Sequence, residues 1–452
     1  MKTRISLAIK AHLIRGAFYL LLVAPVIPFL SARANTITVT NTNDSGPGSL
    51  RQALVDANDG DTIGFAVTGT ISLTSGELVI DKNIIIGGPG PGVLTVARSL
   101  QAADFRIFNI LPSHTAEIDG LTITGGSLVG NGGGISSAAT LTISSCAISA
   151  NSITADGVEC SGAGIYNVGT MTIVNSTVNN NQALIVGFLP PFGGGISNDG
   201  GTLTIQNTTI SENTVAGSGS GGGVYNAGSL TAINSTIRGN TGSSGGGIYG
   251  GVVTIMNCTI SGNSATFEGG GIFGGGTISN STISGNRTLV GHSRGGGFSG
   301  GGTITNSTFS DNVSVNGSNI CATVSVQLGN TILKSGSIFA LGGGTFTSLG
   351  YNLSSDNGGG FLTGPGDQIN TDPLLGPLQD NGGPTLTHAL LPGSPAINAG
   401  DPNFTPPPVN DQRGAPFVRV FHGRIDIGSF EVQPVTRPTP TARPRPTPLP
   451  RP

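Results

Sequence analysis

The sequence predicts an all-β fold, a parallel β-helix in which short coils stack into a solenoid. Two observations predict it. A glycine triplet or near-triplet followed by an apolar residue returns seven times between residues 131 and 312. Behind each triplet comes a segment of the type Thr-Ile-x-Asn-Ser-Thr-Ile-x-x-Asn. Structural repeats of roughly 20–45 residues, the size class of this unit, are too short to be domains, so each must stack on its neighbours to bury apolar side chains.

The copies align on two positions separated by an interval that never changes. Each copy closes on an asparagine: Asn151, Asn181, Asn213, Asn240, Asn263, Asn286 and Asn312. Eight residues earlier stand Ile143, Ile173, Ile205, Ala232, Ile255, Ile278 and Ile304. We expect the aliphatic side chains to point inward and stack about 4.8 Å apart. We expect the asparagine amides to form a ladder at a turn of the coil.

Composition favours strands over helices. Apolar residues alternate in the repeats, as Leu141 and Ile143 do around Thr142, which is the period of a strand. The chain has 76 Gly and no Trp, so helical solenoids are unfavourable and a layered domain would lack large core side chains. Residues 131–312 are therefore predicted to be the regular β-helix.

Residues 1–34 are predicted to be a signal peptide. Basic residues precede an apolar run at 17–30, and Ala32-Arg33-Ala34 supplies a small-x-small cleavage pattern. An uncleaved membrane anchor is the alternative, but the run at 17–30 is short for a span and contains Pro25 and Pro28. We expect no stable membrane span after cleavage, and a secreted or cell-surface location.

The charge balance disfavours nucleic acid as a partner. Of the 20 Lys and Arg, five lie at positions 1–34 and four in the Pro-rich end, which leaves 11 against 23 acidic residues in the body, a net charge of −12. Residues 131–312 contain only Arg238, Arg287 and Arg294 as basic residues. Phosphate binding needs a basic face, and the repeats have none.

Residues 35–130 are predicted to hold a cap and the first coils. Leu50, Ala53, Leu54 and Ala57 share helical spacing after Ser49, a suitable N-cap. We expect this short helix to cover the open end of the core, which would otherwise expose strand edges. Strand-like pieces surround it at 37–40, 62–73, 79–86 and 118–124.

Beyond Asn312 the repeat fades. Residues 313–364 are predicted to form the last coils, around 330–332 and 349–353. Residues 365–432 are crowded with Pro, Gly, Asp and Asn, which is typical of turns. Residues 433–452 alternate Pro with Thr and Arg, and a solvated polyproline II segment is expected there.

Short motifs follow one another in order through the region after residue 365. They are Asp372-Pro373-Leu374-Leu375-Gly376-Pro377-Leu378, Asp380-Asn381-Gly382-Gly383-Pro384-Thr385-Leu386-Thr387-His388, Gly393-Ser394-Pro395-Ala396-Ile397, Asp411-Gln412-Arg413-Gly414 and Asp426-Ile427-Gly428-Ser429-Phe430-Glu431. This series resembles the choice-of-anchor Q domain of bacterial exported proteins. Near the start, the segment Gly48-Ser49-Leu50-Arg51-Gln52-Ala53 resembles the Cys-Ser-Leu-Arg-Glu-Ala segment often found ahead of such proteins, with Gly and Gln in place of Cys and Glu.

The repeats are similar to those of polymorphic outer-membrane proteins, whose Phe-x-x-Asn mark is matched by Phe309-Ser310-Asp311-Asn312. These resemblances imply a pectin-lyase-like right-handed parallel β-helix that is exported and tethered by an interchangeable C-terminal signal. Here the C-terminal segment is Pro, Thr and Arg instead of such a signal. A wall-penetrating spacer, a glycosylated spacer and plain secretion therefore all remain open.

No catalytic, cofactor-binding or metal-binding residue is predicted. The acids of the repeats are spread over different coils: Asp156, Glu159, Asp199, Glu212, Glu268 and Asp311. Three isolated histidines, His292, His388 and His422, show no metal-ligand spacing. Six Asn-x-Ser/Thr triplets could accept glycans, but ladder pairing explains their regular placement better; they begin at Asn175, Asn207, Asn234, Asn257, Asn280 and Asn306.

The cysteines allow two interpretations. Cys146 and Cys258 occupy the same slot of the repeat, where other copies have Ser or Thr, and are expected to be small core thiols. Cys160 lies in the insert after Asn151 and could pair with Cys146 in an oxidising compartment.

The function predicted first is that of an exported, monomeric and non-enzymatic β-helix that binds an extracellular glycan or a surface protein. The large insertions at 152–161, 182–192, 214–220 and 287–294 all leave the solenoid at one turn and should line one edge as loops. The insert with Leu184, Ile185, Val186, Phe188 and Phe192 either forms a contact patch or folds back onto its own coil. The alternative is a polysaccharide lyase or glycoside hydrolase that acts on an acidic polysaccharide.

Overall fold

The computed structural model describes residues 34–433, and over these residues the chain winds through successive parallel strands. The twelve strands of its second sheet mark twelve coils, as the repeat predicts. The predicted signal peptide and nearly all of the Pro-rich tail lie outside the described residues. Within 34–433, no helix has the length and apolar character needed to cross a membrane.

Three parallel sheets run along the solenoid. Sheet 1 contains Thr36–Val39, Thr62–Phe65, Leu78–Ile80, Ile84–Gly87, Phe108–Ile110, Thr115–Asp119, Ile135–Ser137, Thr140–Ser144, Ile165–Asn167, Thr170–Val174, Ile196–Asn198, Thr202–Gln206, Val224–Ile233, Ile248–Met256, Ile272–Ser279, Phe298–Thr305, Ile320–Gly329, Ile338–Ala340 and Thr345–Gly350. Sheet 2 contains Gly69–Leu73, Leu94–Arg98, Thr122–Thr124, Ala147–Ser149, Thr177–Asn179, Thr209–Ser211, Thr236–Arg238, Thr259–Ser261, Thr282–Ser284, Thr308–Ser310, Ile332–Lys334 and Leu353–Ser354. Sheet 3 contains Ser127–Leu128, Ser152–Ala155, Gln182–Ile185, Thr214–Val215, Thr241–Ser244, Ser264–Glu268 and Arg287–Thr288.

Elements outside these sheets are few. An α-helix spans Leu50–Asp56, a short 3-10 helix spans Gly358–Gly360, and an antiparallel hairpin pairs Leu375–Gln379 with Thr387–Leu390. The coils around 330–332 and 349–353 exist, since Ile332–Lys334 pairs with Leu353–Ser354 in sheet 2.

The coils stack in the predicted register. Each aliphatic residue eight positions before a closing asparagine lies opposite its counterpart in the next coil, from Ile143 to Ile304. These side chains are fully or almost fully buried. The core is therefore one narrow column of small aliphatic side chains, which suits a sequence without Trp.

The fixed eight-residue segment is not one strand, as we expected, but two. In the coil that contains Asn175, Thr170–Val174 belongs to sheet 1 and Thr177–Asn179 to sheet 2. Asn175 lies between them with φ of +50°. Asparagine tolerates this left-handed backbone geometry, and the column of such residues continues through Asn207, Asn234, Asn257, Asn280, Asn306 and Asn330. The left-handed backbone geometry therefore belongs to the asparagine between sheets 1 and 2, such as Asn175. The closing asparagine, such as Asn181, has a different structural role.

The closing asparagines form the predicted amide ladder at the turn between sheets 2 and 3. Each Nδ2 donates to Oδ1 of the next coil at 2.9–3.0 Å, from Asn151 to Asn312 and on to Asn319. Each Oδ1 from Asn181 to Asn312 also accepts the backbone N–H of the preceding asparagine. The column is buried. Because a buried amide needs all its partners, this ladder fixes the coils in one register.

The capping helix forms as predicted. The Ser49 side chain accepts from the backbone N–H of Gln52, and Leu50, Ala53 and Leu54 are buried. Arg51 donates to Asp44 Oδ1 at 2.8 Å and to the backbone carbonyls of residues 76 and 77 at 2.7 Å. Arg51 of the N-terminal motif therefore fastens the capping helix to the first coils through these hydrogen bonds.

The C-terminal region folds back over the outer face of sheet 2. Thr282 donates to Gln412 at 2.6 Å, Ser284 hydrogen bonds with His388 at 2.9 Å, and Thr308 accepts from the backbone N–H of Ser429 at 3.1 Å. These three sheet residues lie in two successive coils, and all of them are buried. Burial lowers the pKa of His388. Sheet 2 is thus covered at this end of the solenoid.

Buried charges hold that region together. Arg413 pairs with Asp411 at 2.6 Å, and its guanidinium lies 3.8 Å from the ring centres of Phe417 and Phe430. Arg419 has no exposed surface and donates to the carbonyl of Gly428. Of the motif residues, Arg413 and Asp411 therefore stabilise the region internally, whereas His388, Gln412 and Ser429 attach it to sheet 2.

We predict that Asn240→Ala destabilises the protein by on the order of 3 kcal/mol. The variant removes an amide that donates to Asn263 and accepts from Asn213, and it leaves buried groups without partners. Urea unfolding followed by circular dichroism measures the loss. The matched control is Gln206→Ala, which removes an exposed amide and should change the free energy of unfolding by less than about 0.5 kcal/mol. Equal effects of the two substitutions would contradict a ladder that sets the register.

Glu431 predicts a pH dependence. Burial, followed by the nearby charge of Asp426, raises its pKa to about 8. Between about pH 4.5 and pH 8 the folded chain keeps a proton that the unfolded chain has released, so stability falls as pH rises through this interval. Glu431→Gln removes that contribution. Its free energy of unfolding relative to the wild type should increase from pH 5 to pH 8, and parallel pH profiles of the two proteins would refute the assignment.

Candidate functional site

A column of aromatic side chains lies on the outer face of sheet 1. Each member follows the apolar residue after a glycine triplet and lies in register with its counterpart in the next coil. The aromatic members are Tyr166, Tyr225, Tyr249 and Phe273, which we call the aromatic face. All four are half-buried, so part of each ring contacts solvent. An aromatic row of this kind on a protein surface indicates a binding surface more than a core.

The rings stack because the coils do. Tyr225 and Tyr249 have ring centres 5.3 Å apart and are inclined by 6°, and Tyr249 and Phe273 are 5.0 Å apart and inclined by 19°. These separations follow the spacing of parallel strands. The stack presents ring edges to solvent over three coils, and the outer face of Phe273 looks toward the next coil.

Phe192 completes the stack from a loop. In the coil between those of Tyr166 and Tyr225, the equivalent position is Ser197, which is not aromatic. Phe192 lies 4.7 Å from Tyr225, ring centre to ring centre, and is half-buried. The loop edge and the aromatic face are therefore one continuous surface.

Carboxylates lie at one end of the aromatic face. Tyr166 donates its hydroxyl to Asp199 Oδ2 at 2.9 Å, and burial together with this bond and charge raises the pKa of Tyr166 to about 12. Burial, aided by the charges of Tyr249, Asp199 and Glu159, raises the pKa of Tyr225 as well. Both tyrosines are neutral hydrogen-bonding groups at neutral pH, beside a negatively charged rim.

At the other end of the stack is a hollow of about 330 Å³. Its walls include the ring of Phe273 and the side chains of Thr323 and Val324, and its floor is glycine, at 274–275 and 300–302. Glycine is required here, since a Cβ on Gly274 would collide with the carbonyl oxygen of Gly250. Ser299 contributes a buried hydroxyl that has no hydrogen-bond partner in the described residues. An uncharged hollow with one aromatic wall and several hydroxyls suits a ring that has an apolar face and polar edges.

The loop edge exists, but part of each predicted insertion is a strand. Residues 152–155, 182–185, 214–215 and 287–288 belong to sheet 3, and only the segments beyond them are loops. Leu184 and Ile185 are half-buried in this sheet, whereas Val186 is 68% exposed and Phe188 is 99% exposed. The insert therefore does both things that the sequence left open: its ends fold back and its tip projects.

Two acids of the repeats, Asp199 and Glu159, lie beside Tyr225, whereas three others have partners of their own. Glu212 approaches Arg238 at 3.9 Å, Glu268 pairs with Arg294 at 2.8 Å, and Asp311 accepts from Ser310. Within residues 34–433 no three His, Cys, Asp or Glu side chains lie close enough together to hold a metal ion. Glu212, Glu268 and Asp311 thus each have a partner, and the carboxylates beside the aromatic face are Asp199 and Glu159.

The asparagines of the Asn-x-Ser/Thr triplets form a second ladder. Asn257 donates to Asn234 at 3.0 Å, Asn280 to Asn257 at 2.7 Å and Asn207 to Asn175 at 3.2 Å. The ladder prediction for these triplets is thus confirmed at three of the five steps, and Asn280 Oδ1 has no partner in the described residues. A third ladder, which the sequence analysis missed, joins buried Asn167, Asn198 and Asn226 at 2.7 Å per step.

The aromatic face was not predicted, although the sequence contains a signal for it. The glycine triplets were aligned on the apolar residue behind them, and the very next residue is Tyr or Phe in four of the seven copies. Outward positions of a solenoid recur at the same interval as inward ones, so the alignment of the repeats already contained this column.

Comparisons with known proteins support the fold. No family model matches the sequence, and no curated protein matches it. Among solved structures, pectate lyase Pel9A is similar with a TM-score of 0.50 and 16% identity, over 88% of this chain and 96% of that one. ORF18 of Geobacillus virus E2 has a TM-score of 0.39, with 15% identity over 70% of this chain and 61% of that one. A mannuronic acid specific polysaccharide family 6 lyase from human gut microbiota has a TM-score of 0.32, with 12% identity over 74% of this chain and 83% of that one. The likeness to Pel9A supports the pectin-lyase-like right-handed β-helix.

The cysteines generate a prediction. All four are free and buried, and Cys146 lies in the main core whereas Cys160 lies in a small cluster under the loops. Burial raises the pKa of Cys146 and of Cys258 to about 12. Ellman's reagent should therefore detect four thiols in denaturant and almost none in the native protein at pH 8. Two thiols in denaturant would show that one disulfide is present and would contradict four free cysteines.

Proposed function

We propose that this protein is an exported, non-enzymatic β-helix that binds an extracellular glycan along the aromatic face and the adjoining loop edge. The observation that carries the proposal is the stack of Tyr225, Tyr249 and Phe273, half-exposed and continued by Phe192 from the loop edge. Aromatic rings with polar tips combine apolar contact with hydrogen bonding, which is what a sugar chain needs from a protein.

The geometry favours an extended ligand. Three rings follow one another at the spacing of the coils, and the hollow beyond Phe273 lies on the same line. A chain of sugars laid along the solenoid axis would contact successive rings and end in the hollow. A globular protein partner would bury less of its surface against a row that is only one ring wide.

Charge favours a neutral glycan over an acidic one. The body of the chain carries 23 acids against 11 basic residues, and Asp199 and Glu159 lie beside the aromatic face. A polyanion would be repelled by this field. Arg294 is paired with Glu268, so its charge is already neutralised and does not offset that repulsion.

Export rests on residues 1–34, which have the pattern of a signal peptide. The mature chain would then meet its glycan outside the cytoplasm, at the cell surface or after secretion.

A second function, cleavage of an acidic polysaccharide, is supported by the fold shared with pectate lyase Pel9A. Against it, Asp199 already accepts the Tyr166 hydroxyl, and Glu212 and Glu268 lie against arginines, so these three carboxylates already have partners. Reducing-end and unsaturated-product assays on pectins, alginates and glycosaminoglycans separate the two functions. Turnover of any of these substrates would overturn the non-enzymatic assignment.

Binding to neutral β-glucans, xylans and mannans tests the first function. For a glycan that the wild type binds, Tyr249→Ala should weaken binding about tenfold, equal to about 1.4 kcal/mol, because it removes the middle ring of the stack. Tyr249→Phe keeps the ring and is the matched control, with affinity within about threefold of wild type. Thermal unfolding of both variants checks that the solenoid is intact. Unchanged affinity of Tyr249→Ala, or no binding to any neutral glycan, would exclude this surface.

A further inference from the structure

A second cavity lies where the last coils meet the C-terminal region, away from the aromatic face. It has a volume of about 230 Å³. Its lining comes from sheet 1, from the turn between sheets 1 and 2, and from Asp401, Phe404 and Ile425. Sites for drug-sized ligands run from roughly 300 to 1,000 Å³. A cavity of this smaller size accepts a single ring.

An unpaired acceptor marks this cavity. Asn330 belongs to the column of left-handed asparagines, donates from Nδ2 to Asn306 Oδ1 at 2.9 Å, and is 6% exposed. Its Oδ1 has no hydrogen-bond partner in the described residues. Along the column, Asn257 and Asn234 each accept from the asparagine of the next coil.

No amide of the next coil donates to Asn330 Oδ1, and Asn280 Oδ1, in the middle of the column, is likewise unpaired in the described residues. The coil after Asn330 has Tyr351 at the equivalent position, also with a left-handed φ of +55°, and tyrosine has no amide to donate. The last carbonyl oxygen of the column is therefore left unpaired on a residue that lines the cavity. A buried amide oxygen without a donor is unfavourable, and a ligand hydroxyl would satisfy it.

The other lining groups narrow the chemistry. Asp401 uses Oδ1 to accept the backbone N–H of Asn403 at 2.8 Å, and within residues 34–433 its Oδ2 accepts no hydrogen bond. Phe404 and Tyr351 supply two half-exposed aromatic rings. The cavity thus offers apolar faces and acceptors, which suits a ring that carries several hydroxyl donors.

Charges of opposite sign, Asp401 and Arg424, lie near this cavity and give neither an anion nor a cation a net advantage. Asp401 repels an acidic sugar. Arg424 already lies 5.7 Å from the ring centre of Tyr351 and donates to the backbone carbonyls of residues 399 and 400, so a second cation is disfavoured. A neutral ring is the class that remains.

We propose that this junction cavity is a binding site for one neutral sugar ring, with Asn330 Oδ1 and Asp401 as acceptors of its hydroxyls and with Phe404 and Tyr351 against its apolar face. The site is independent of the aromatic face, because it lies on other residues and takes one ring instead of a chain. It lies between the solenoid and the region clamped onto sheet 2, so its occupancy also adds contacts between these two parts.

Saturation-transfer NMR on the full chain tests this site, with methyl glucopyranosides and methyl galactopyranosides, in both anomers, as the probes. We expect millimolar binding of at least one probe, as is typical for so small a ligand. Asp401→Asn removes the charge but keeps the size of the side chain and the bond to Asn403, and Phe404→Ala removes one ring. Each should weaken binding at least fivefold.

Two controls separate this site from the other surface and from general damage. Leu391→Ala alters an exposed apolar residue elsewhere in the C-terminal region and should leave probe binding unchanged. Tyr249→Ala should also leave it unchanged, whatever it does to polysaccharide binding. Absence of transfer from every probe, or binding that survives both Asp401→Asn and Phe404→Ala in folded protein, would overturn the proposal. Loss of probe binding in Tyr249→Ala would assign the signal to the aromatic face and overturn it equally.

Discussion

The in-register stacking of successive coils is the constraint on which the rest of this structure depends. Each strand pairs with the strand one coil away, and the buried amides at the turn after sheet 2 repeat the same hydrogen bonds from Asn151 to Asn319. A slip of one residue would break every amide pair and turn every inward aliphatic residue outward. The repeat therefore tolerates insertions only where no pairing is required, between sheet 3 and the next glycines.

This constraint also creates the outer surfaces. Equivalent residues of successive coils lie above one another. Aromatic residues at one repeat position therefore form a stack, and glycines at another position leave a hollow. The two motif-rich ends of the described chain cover parts of the solenoid instead of forming open surfaces. Arg51 fastens the helix to the first coils, and His388, Gln412 and Ser429 hold the C-terminal region over sheet 2. Sheet 2 is covered at that end while the aromatic face of sheet 1 stays open, which is why the candidate site lies there.

Sequence reasoning found the elements whose signals are periodic. The fold, the inward column from Ile143 to Ile304, the closing asparagine ladder and the capping helix at Ser49 were all predictable, since each rests on spacing or on local capping chemistry. The bend at Asn175 was missed because a left-handed residue inside an alternating segment does not interrupt the alternation. The packing of Gln412 and Ser429 on sheet 2 joins segments that are far apart along the chain, and no local pattern encodes it. The junction cavity depends on where one ladder stops, which only the three-dimensional register reveals.

Distances between spin labels test the stacking most directly. The outward threonines of sheet 1 form one register column from Thr142 through Thr172 and Thr303 to Gln327. Thr172 and Thr303 are five coils apart, and Thr142 and Gln327 are seven, so pulsed electron paramagnetic resonance should give backbone separations near ~24 Å and ~34 Å. A rise of about 4.8 Å per coil, whatever the number of intervening residues, is the predicted result. Separations that follow chain length instead of coil count would contradict the register and every surface that depends on it.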